Sequence, residues 1–176
     1  MTNIAFIGLG IMGSRMAGHL LNGGYDLIIH NRTKSKADDL IQQGAIWADT
    51  PADVAKKADI LITMLAHPQA VESAALGENG FLSALENGTL WIDSSTVNPS
   101  FSKQMADKAT AHGIRFLDAP VAGSKNQAQE GVLAFIVGGN ASDVQEATPL
   151  FELMGNRVVH VGKHGMGTSL KIVVNY

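Results

Sequence analysis

A short apolar run, Asn3-Ile4-Ala5-Phe6-Ile7, leads without a break into Gly8-Leu9-Gly10-Ile11-Met12-Gly13 and then into a helical pattern from Met12 to Leu21. Five apolar or neutral residues bounded by glycine suit a buried strand, and the spacing that follows suits an amphipathic helix. The glycines fall where such a junction needs them. Gly8 permits a tight turn, Gly10 lets a pyrophosphate come up to the backbone, and Gly13 lets helix pack closely on strand. The N-terminus of the helix offers unpaired N–H groups and partial positive charge to phosphates. Gly8, Leu9, Gly10, Ile11, Met12 and Gly13 are therefore the candidate dinucleotide loop.

The rest of the chain repeats the strand–helix rhythm. Strands are expected at Asp26 to His30, Asp59 to Met64, Thr89 to Asp93, Ile114 to Asp118, Leu133 to Val137 and Arg157 to Val161. Helical or mixed segments are expected at Lys34 to Gln42, Pro51 to Lys56, Gln69 to Ala75, Pro99 to His112 and Ser142 to Met154. Alternation of this kind implies right-handed crossovers and a mostly parallel, doubly wound α/β sheet of Rossmann type. Beyond Asp118 the connections shorten, which leaves room for antiparallel strands. Lys163-His164-Gly165-Met166-Gly167 reads as a turn that opens a last helical segment, Thr168 to Tyr176, apolar on most sides through Leu170, Ile172, Val173 and Val174. A helix of that pattern is normally buried, and with so little chain following it Tyr176 reads as a truncation point.

Composition narrows the function. The chain has 176 residues, 45% hydrophobic and 16% charged, so it can bury a core and is not disordered. A net charge of -3 gives no basic field for nucleic acid. There is no cysteine, which excludes disulfides, thiolate metal sites and a cysteine nucleophile. The apolar run near the start is broken by glycine and has no basic leader, so neither a signal peptide nor a membrane span is expected, and a cytoplasmic location is. His160 and His164 are four apart with Gly162 between them and no glutamate after His160, unlike a zinc helix.

The end of the second strand bears on which dinucleotide is held. An NAD site calls for a carboxylate there, to accept from the ribose hydroxyls. This chain has His30-Asn31-Arg32-Thr33 instead. Nothing there repels a 2'-phosphate, and the Arg32 guanidinium can pair with one. Asn31 and Thr33 can donate further hydrogen bonds, with Lys34 and Lys36 adding positive potential. NADP is expected over NAD. The plainer alternative leaves Arg32 solvated and Thr33 as a helix cap.

Two further segments carry polar chemistry. In Asp118-Ala119-Pro120-Val121-Ala122-Gly123-Ser124, backbone N–H groups near Gly123 and Ser124 can form a nest for a carboxylate, or the segment is an ordinary Pro-Gly turn. In Gly167-x-x-x-Lys171-x-x-x-Asn175, four-residue steps put the three residues on one helical face. A small residue beside a lysine leaves room for a ligand, and partial desolvation by Leu170 and Ile172 would lower the lysine pKa toward acid–base use. The alternative is a solvated lysine on the wet face of the helix.

Taken together and in this order, these motifs resemble the N-terminal part of the beta-hydroxyacid dehydrogenase family, which includes 3-hydroxyisobutyrate dehydrogenase, tartronate semialdehyde reductase and 6-phosphogluconate dehydrogenase. The resemblance runs over the whole chain. Asp93-Ser94-Ser95-Thr96 is similar to the family segment whose threonine lies by the nicotinamide, and Met64-Leu65-Ala66 to the Met-Leu-Pro loop after the fourth strand, with Ala66 for proline. Gly123-Ser124-Lys125 with Asn31-Arg32-Thr33 most resembles the glyoxylate and succinic semialdehyde reductase branch, which prefers NADPH. The resemblance implies that Lys171 is the acid–base residue and that Asn175 helps hold substrate. The family's substrate-binding serine falls on Ala122, a departure, leaving Gly123 and Ser124 for the substrate carboxylate. It also implies a dinucleotide domain over residues 1–163, the start of an interdomain helix over 164–176, and an all-helical domain that this chain lacks and that makes most of the dimer contact, hence a homo-oligomer at full length. The activity implied is NAD(P)-dependent transfer of hydride to or from a small carboxylate-bearing hydroxy or aldehyde acid. A non-catalytic NADP-binding module is the rival reading. Imine-reducing relatives usually replace the lysine, so Lys171 counts against them.

Overall fold

The computed structural model describes residues 1–175. The expectation attached to Tyr176 lies outside the described residues. Parallel β1 (Asn3–Ile7), β2 (Asp26–His30), β3 (Ile46–Trp47), β4 (Ile60–Thr63), β5 (Leu90–Asp93) and β6 (Arg115–Asp118) stand in the order 3-2-1-4-5-6. This is the doubly wound order, in which the direction of strand addition reverses between β1 and β4 and leaves a crevice at their carboxyl ends. β7 (Val121–Ala122) and β8 (Leu133–Gly138) extend the sheet; β8 runs antiparallel to both β6 and β7, as the short connections allowed. β9 (Gly155–Gly162) pairs with β8 in parallel. A 14-residue helix, α7 (Ala141–Met154), joins β8 to β9, and a crossover of that length carries the chain back to start in the same direction.

Both faces are buried, which is why β1 and β4 read as continuous apolar runs. Ile4, Phe6, Ile60, Ile62 and Leu117 meet α1 (Ile11–Asn22), α2 (Asp38–Gln42) and α7 on one side. Ala5, Ile7, Leu61, Trp91 and Phe116 meet α3 (Pro51–Ala55), α4 (Pro68–Leu76) and α5 (Pro99–Ala111) on the other. Phe81, Trp91 and Phe116 stack edge to face through the second cluster.

Several elements depart from the sequence expectation. β3, β7 and α6 (Lys125–Glu130) were not expected; two-residue strands and a six-residue helix are too short to carry a period. The segment from Lys34 divides into a 3-10 turn over Lys34–Ala37 and then α2, because Lys34-Ser35-Lys36 has no apolar stripe and Thr33 makes no capping hydrogen bond with its side chain. The last helix, α8 (Met166–Val174), starts two residues before Thr168, at a left-handed Gly165. Its first turn is buried, with Gly167 and Thr168 inside, whereas Val173 and Val174 are 66% and 55% exposed.

Candidate functional site

The dinucleotide loop is built from two different demands on glycine. A side chain on Gly8, whose φ is +104°, would overlap the Met64 carbonyl, and one on Gly13 would overlap the Gly8 carbonyl. These two bring β1, α1 and the loop after β4 into backbone contact. Gly10 is different: its φ is -73°, any residue could adopt it, and a Cβ there meets nothing within 4 Å. The protein itself gives no reason for a glycine at that position. No side chain caps the N-terminus of α1 beside it. An open backbone cradle at an uncapped helix start fits a pyrophosphate.

A cleft of about 620 Å³ opens along this edge, lined among others by Gly8, Gly10, Asn31, Arg32, Thr33, Lys36, Met64, Leu65 and Ala66. It continues past His30 and Pro51 to Ser73, Gly77 and Asn79, residues to which the sequence assigned no part. Among the described residues Arg32 makes no ion pair and is exposed. Lys36 lines the cleft, while Lys34 turns away to lie over the Trp47 ring, 5.5 Å from its centroid.

Other predicted residues are placed differently. Leu9 is buried, and its N–H donates to Asn31 Oδ1 at 2.9 Å, so it offers a ligand nothing. Asn31 also donates through Nδ2 to the Thr33 carbonyl at 3.0 Å. It is the tie between the glycine loop and the end of β2, with one amide hydrogen left over. Ile11 and Met12 sit on the first turn of α1, Ile11 with its side chain exposed. Thr96 is exposed beyond β5 and outside the cleft wall.

Residues Ala122 to Ser124 lead from β7 into α6. Ser124 caps α6: its Oγ accepts from Gln127 N–H, and its own N–H donates to Gln127 Oε1 at 2.7 Å. The Ser124 N–H is thus already bound, which takes one donor from the expected nest; Gly123 beside it is exposed at φ +147°. Gly167, Lys171 and Asn175 follow one another along α8 as spaced. Gly167 leaves no room for a ligand, however, because a Cβ there would press into the Ile136 and Asp118 carbonyls. It lets helix approach sheet. Lys171 is half-buried, and this desolvation lowers its pKa below the ordinary lysine value. Asn175 is exposed at the C-cap.

The sequence missed the polar final rung of the sheet. Thr63, Asp93 and Asp118 are register neighbours on β4, β5 and β6, and all are buried. Asp93 Oδ1 accepts from Thr63 Oγ1 at 2.8 Å and from Ser95 N–H at 3.1 Å, and Ser95 Oγ accepts from Leu65 N–H at 2.8 Å. Trp91 Nε1 donates to Thr63 Oγ1 at 3.0 Å. One carboxylate thereby ties together the loops after β4 and β5. Its Oδ2 is buried without a partner, and burial, with some repulsion from Asp118, pushes the Asp93 pKa up to about 6 against the hydrogen bonds that favour ionisation.

With this geometry in place, comparison with known proteins is informative. The family model for the NAD binding domain of 6-phosphogluconate dehydrogenase matches residues 3–162. The chain belongs to this family. It is 42% identical over 169 residues to the uncharacterized oxidoreductase YkwC of Bacillus subtilis, covering 96% of this chain and 59% of that protein. It is 38% identical to glyoxylate/succinic semialdehyde reductase 2, chloroplastic, of Arabidopsis thaliana, covering 98% of this chain and 48% of that protein. Its fold superimposes on the structure of 3-hydroxyisobutyrate dehydrogenase from Mycobacterium tuberculosis with L-serine, at a TM-score of 0.95 and 33% identity, over 99% of this chain and 59% of that one. The chain therefore spans roughly half to three-fifths of these relatives. Within the family domain, no helix of the described residues is long and apolar enough to cross a membrane, and they contain no group of three or more acidic or histidine side chains placed to hold a metal.

Two expectations follow. Gly10→Ala should leave stability within about 1 kcal/mol of the parent, the range for this change at a helix N-cap, yet weaken dinucleotide binding; Gly13→Ala should cost about 2–3 kcal/mol through overpacking. Urea denaturation beside dinucleotide titration checks both, and a Gly10→Ala variant that binds like the parent would count against the cradle. The second concerns pH. Because the folded chain holds the Asp93 proton more tightly than an unfolded aspartate at 3.8, ionisation costs stability as pH rises through about 6. Asp93→Asn should gain on the parent by about 1–3 kcal/mol between pH 4 and pH 7.5, and a stability difference flat across that range would mean that Asp93 ionises freely.

Proposed function

We propose that this chain is the cofactor-binding part of an NADP-dependent oxidoreductase acting on small carboxylate-bearing hydroxy or aldehyde acids. The observation that carries the reading is the cleft itself. Gly10 lines the cleft with open space where its Cβ would stand, which suits the approach of a pyrophosphate, and the same cleft has Arg32, Thr33 and Lys36 where an NAD site has a carboxylate. Arg32 would pair with a 2'-phosphate through its guanidinium fork, and Lys36 would add charge without having to form a planar contact. Met64, Leu65 and Ala66 line the same cleft, and Thr96, exposed beyond β5, would approach the nicotinamide from outside its wall.

When bound, the nicotinamide supplies or accepts the hydride. The proton is the protein's part. In reduction the Lys171 ammonium gives its proton to the carbonyl oxygen as hydride reaches the carbonyl carbon; in oxidation the neutral amine takes the hydroxyl proton back. A lysine whose pKa is lowered by burial serves both directions better than a solvated one. The cation also stabilises negative charge gathering on that oxygen. Asn175, one turn on, orients the same end of the substrate, and the backbone at Gly123 meets its carboxylate, with Ala122 alongside.

One observation favours the second reading, a module that binds NADP without catalysis. The Ser124 N–H is spent on Gln127 and Ala122 has no hydroxyl, so donors for a substrate carboxylate are few. Turnover in the full-length protein separates the two. Lys171→Ala should reduce turnover of glyoxylate or succinic semialdehyde by roughly 10²–10⁴, as for loss of a general acid, with NADPH affinity little changed; a parent that binds NADPH but turns over neither substrate would leave the module standing, and unchanged turnover in the variant would remove Lys171 from the chemistry.

Cofactor choice has its own test. Arg32→Asp should weaken NADPH binding by about 1.5–3 kcal/mol, the range for a hydrogen bond to a charged group, and should bring NADH level with it or ahead. Calorimetry that finds equal affinities for both in the parent would remove the assignment to NADP.

A further inference from the structure

Lys171 can act on a substrate only if α8 stands still, and little apolar surface holds it. Val173 and Val174 are mostly exposed, and beyond the first turn its residues are at best half-buried. What fixes the helix is at its start. Asp118, buried at the end of β6, accepts from Gly165 N–H at 2.8 Å on Oδ1, and from Thr168 N–H at 2.9 Å and Thr168 Oγ1 at 3.1 Å on Oδ2. Thr168 Oγ1 also shares a hydrogen bond of 2.8 Å with Ser102 of α5. Gly167 lies so close to the sheet that a Cβ would sit 2.8 Å from both the Asp118 carbonyl and the Gly138 N–H nitrogen. Both oxygens of one carboxylate therefore accept from two amides at the start of α8, where the helix dipole also favours a negative charge.

We infer that Asp118 is a positioning residue for the proposed Lys171 centre: by binding the Gly165 and Thr168 amides it sets the register of α8 against β6 and β8, and so the place of the ammonium one turn later. The inference rests on the reading of Lys171 as the acid–base group. Burial raises the Asp118 pKa while its hydrogen bonds oppose the rise. The cluster stays polar inside the core because directional bonds specify one seating of a short helix, whereas apolar contacts would tolerate slippage.

Asp118→Asn keeps the shape and one acceptor but turns an amide toward the Thr168 N–H, donor against donor. In this variant the Gly165 and Thr168 amides should exchange with solvent at least ~10-fold faster, with β1 amides unchanged. In the full-length protein kcat should fall roughly 10–100-fold, the scale of a misplaced catalytic group, with the NADPH Kd within about twofold of the parent. Thr168→Ser should behave as the parent and Thr168→Val should fall between. Parent-like kcat in Asp118→Asn, or an equal loss of kcat and NADPH affinity, overturns the inference. Should Asp118→Asn fail to fold, Thr168→Val beside Thr168→Ser decides: parent-like kcat in the valine variant overturns it, and a loss that serine rescues supports it. Lys171→Ala in the same assay keeps the two ideas apart. If it retains turnover, the acid–base reading fails and the inference falls with it; if it loses turnover while Asp118→Asn does not, the inference alone fails.

Discussion

The first turn of α1 lies on the end of β1 with no side chain between them. Gly13 rests against the Gly8 carbonyl, and Gly8 against the Met64 carbonyl. Three backbone segments, from β1, α1 and the loop after β4, meet at one point, and this contact sets the mouth of the cleft. The reversal of strand order between β1 and β4 makes a crevice there in any doubly wound sheet. Asn31 then fastens the end of β2 to the same loop through Leu9 N–H, so Arg32 and Thr33 are held at the rim by a residue that lines the cleft beside them.

A second constraint comes from ending a buried sheet with polar residues. Thr63, Asp93 and Asp118 occupy one rung, and each must find partners out of water's reach or cost stability. The two carboxylates use their oxygens on different segments: Asp93 on the loops beyond β4 and β5, Asp118 on α8. A hydrophobic rung would pack as well, but could not offer the directional bonds that Asp93 makes to Thr63 and to Ser95. The lone Asp93 Oδ2 and the raised pKa are the strain left by that solution.

Much of this was legible in the sequence because it depends on period and on glycine. β1, β4 and β5 are runs buried on both faces, β2 and β6 are short runs with apolar centres, and their alternation with helices fixes the parallel order. The glycine-rich turn between β1 and α1 was legible because Gly8, Gly10 and Gly13 stand at set distances between a strand and a helix. What could not be read were choices made by tertiary partners. Ser124 next to a glycine looks like an anion nest until Gln127, three residues on, takes its N–H. Gly167 four residues before a lysine looks like ligand space until β6 and β8 are known to fill it. Asp118 stood in plain view in its motif, but its role depends on residues 47 and 50 positions away, Gly165 and Thr168.

The corrected role of Gly167 changes how its motif is understood. Its spacing to Lys171 and Asn175 seemed to describe one ligand-facing stripe, yet the three residues run from buried through half-buried to exposed along a single helix. The stripe is a gradient of solvent access. Its buried end anchors, through a missing side chain and two amides given to Asp118. Its middle carries a lysine dry enough to titrate below an ordinary ammonium yet wet enough to exchange protons. Moving Lys171 one turn nearer the anchor would bury its charge against the sheet, and moving it one turn outward would return it to water. The half-buried stretch from Ser169 to Ile172 is where a lysine on this helix keeps both properties, which gives the place of Lys171 a physical reason independent of any ligand.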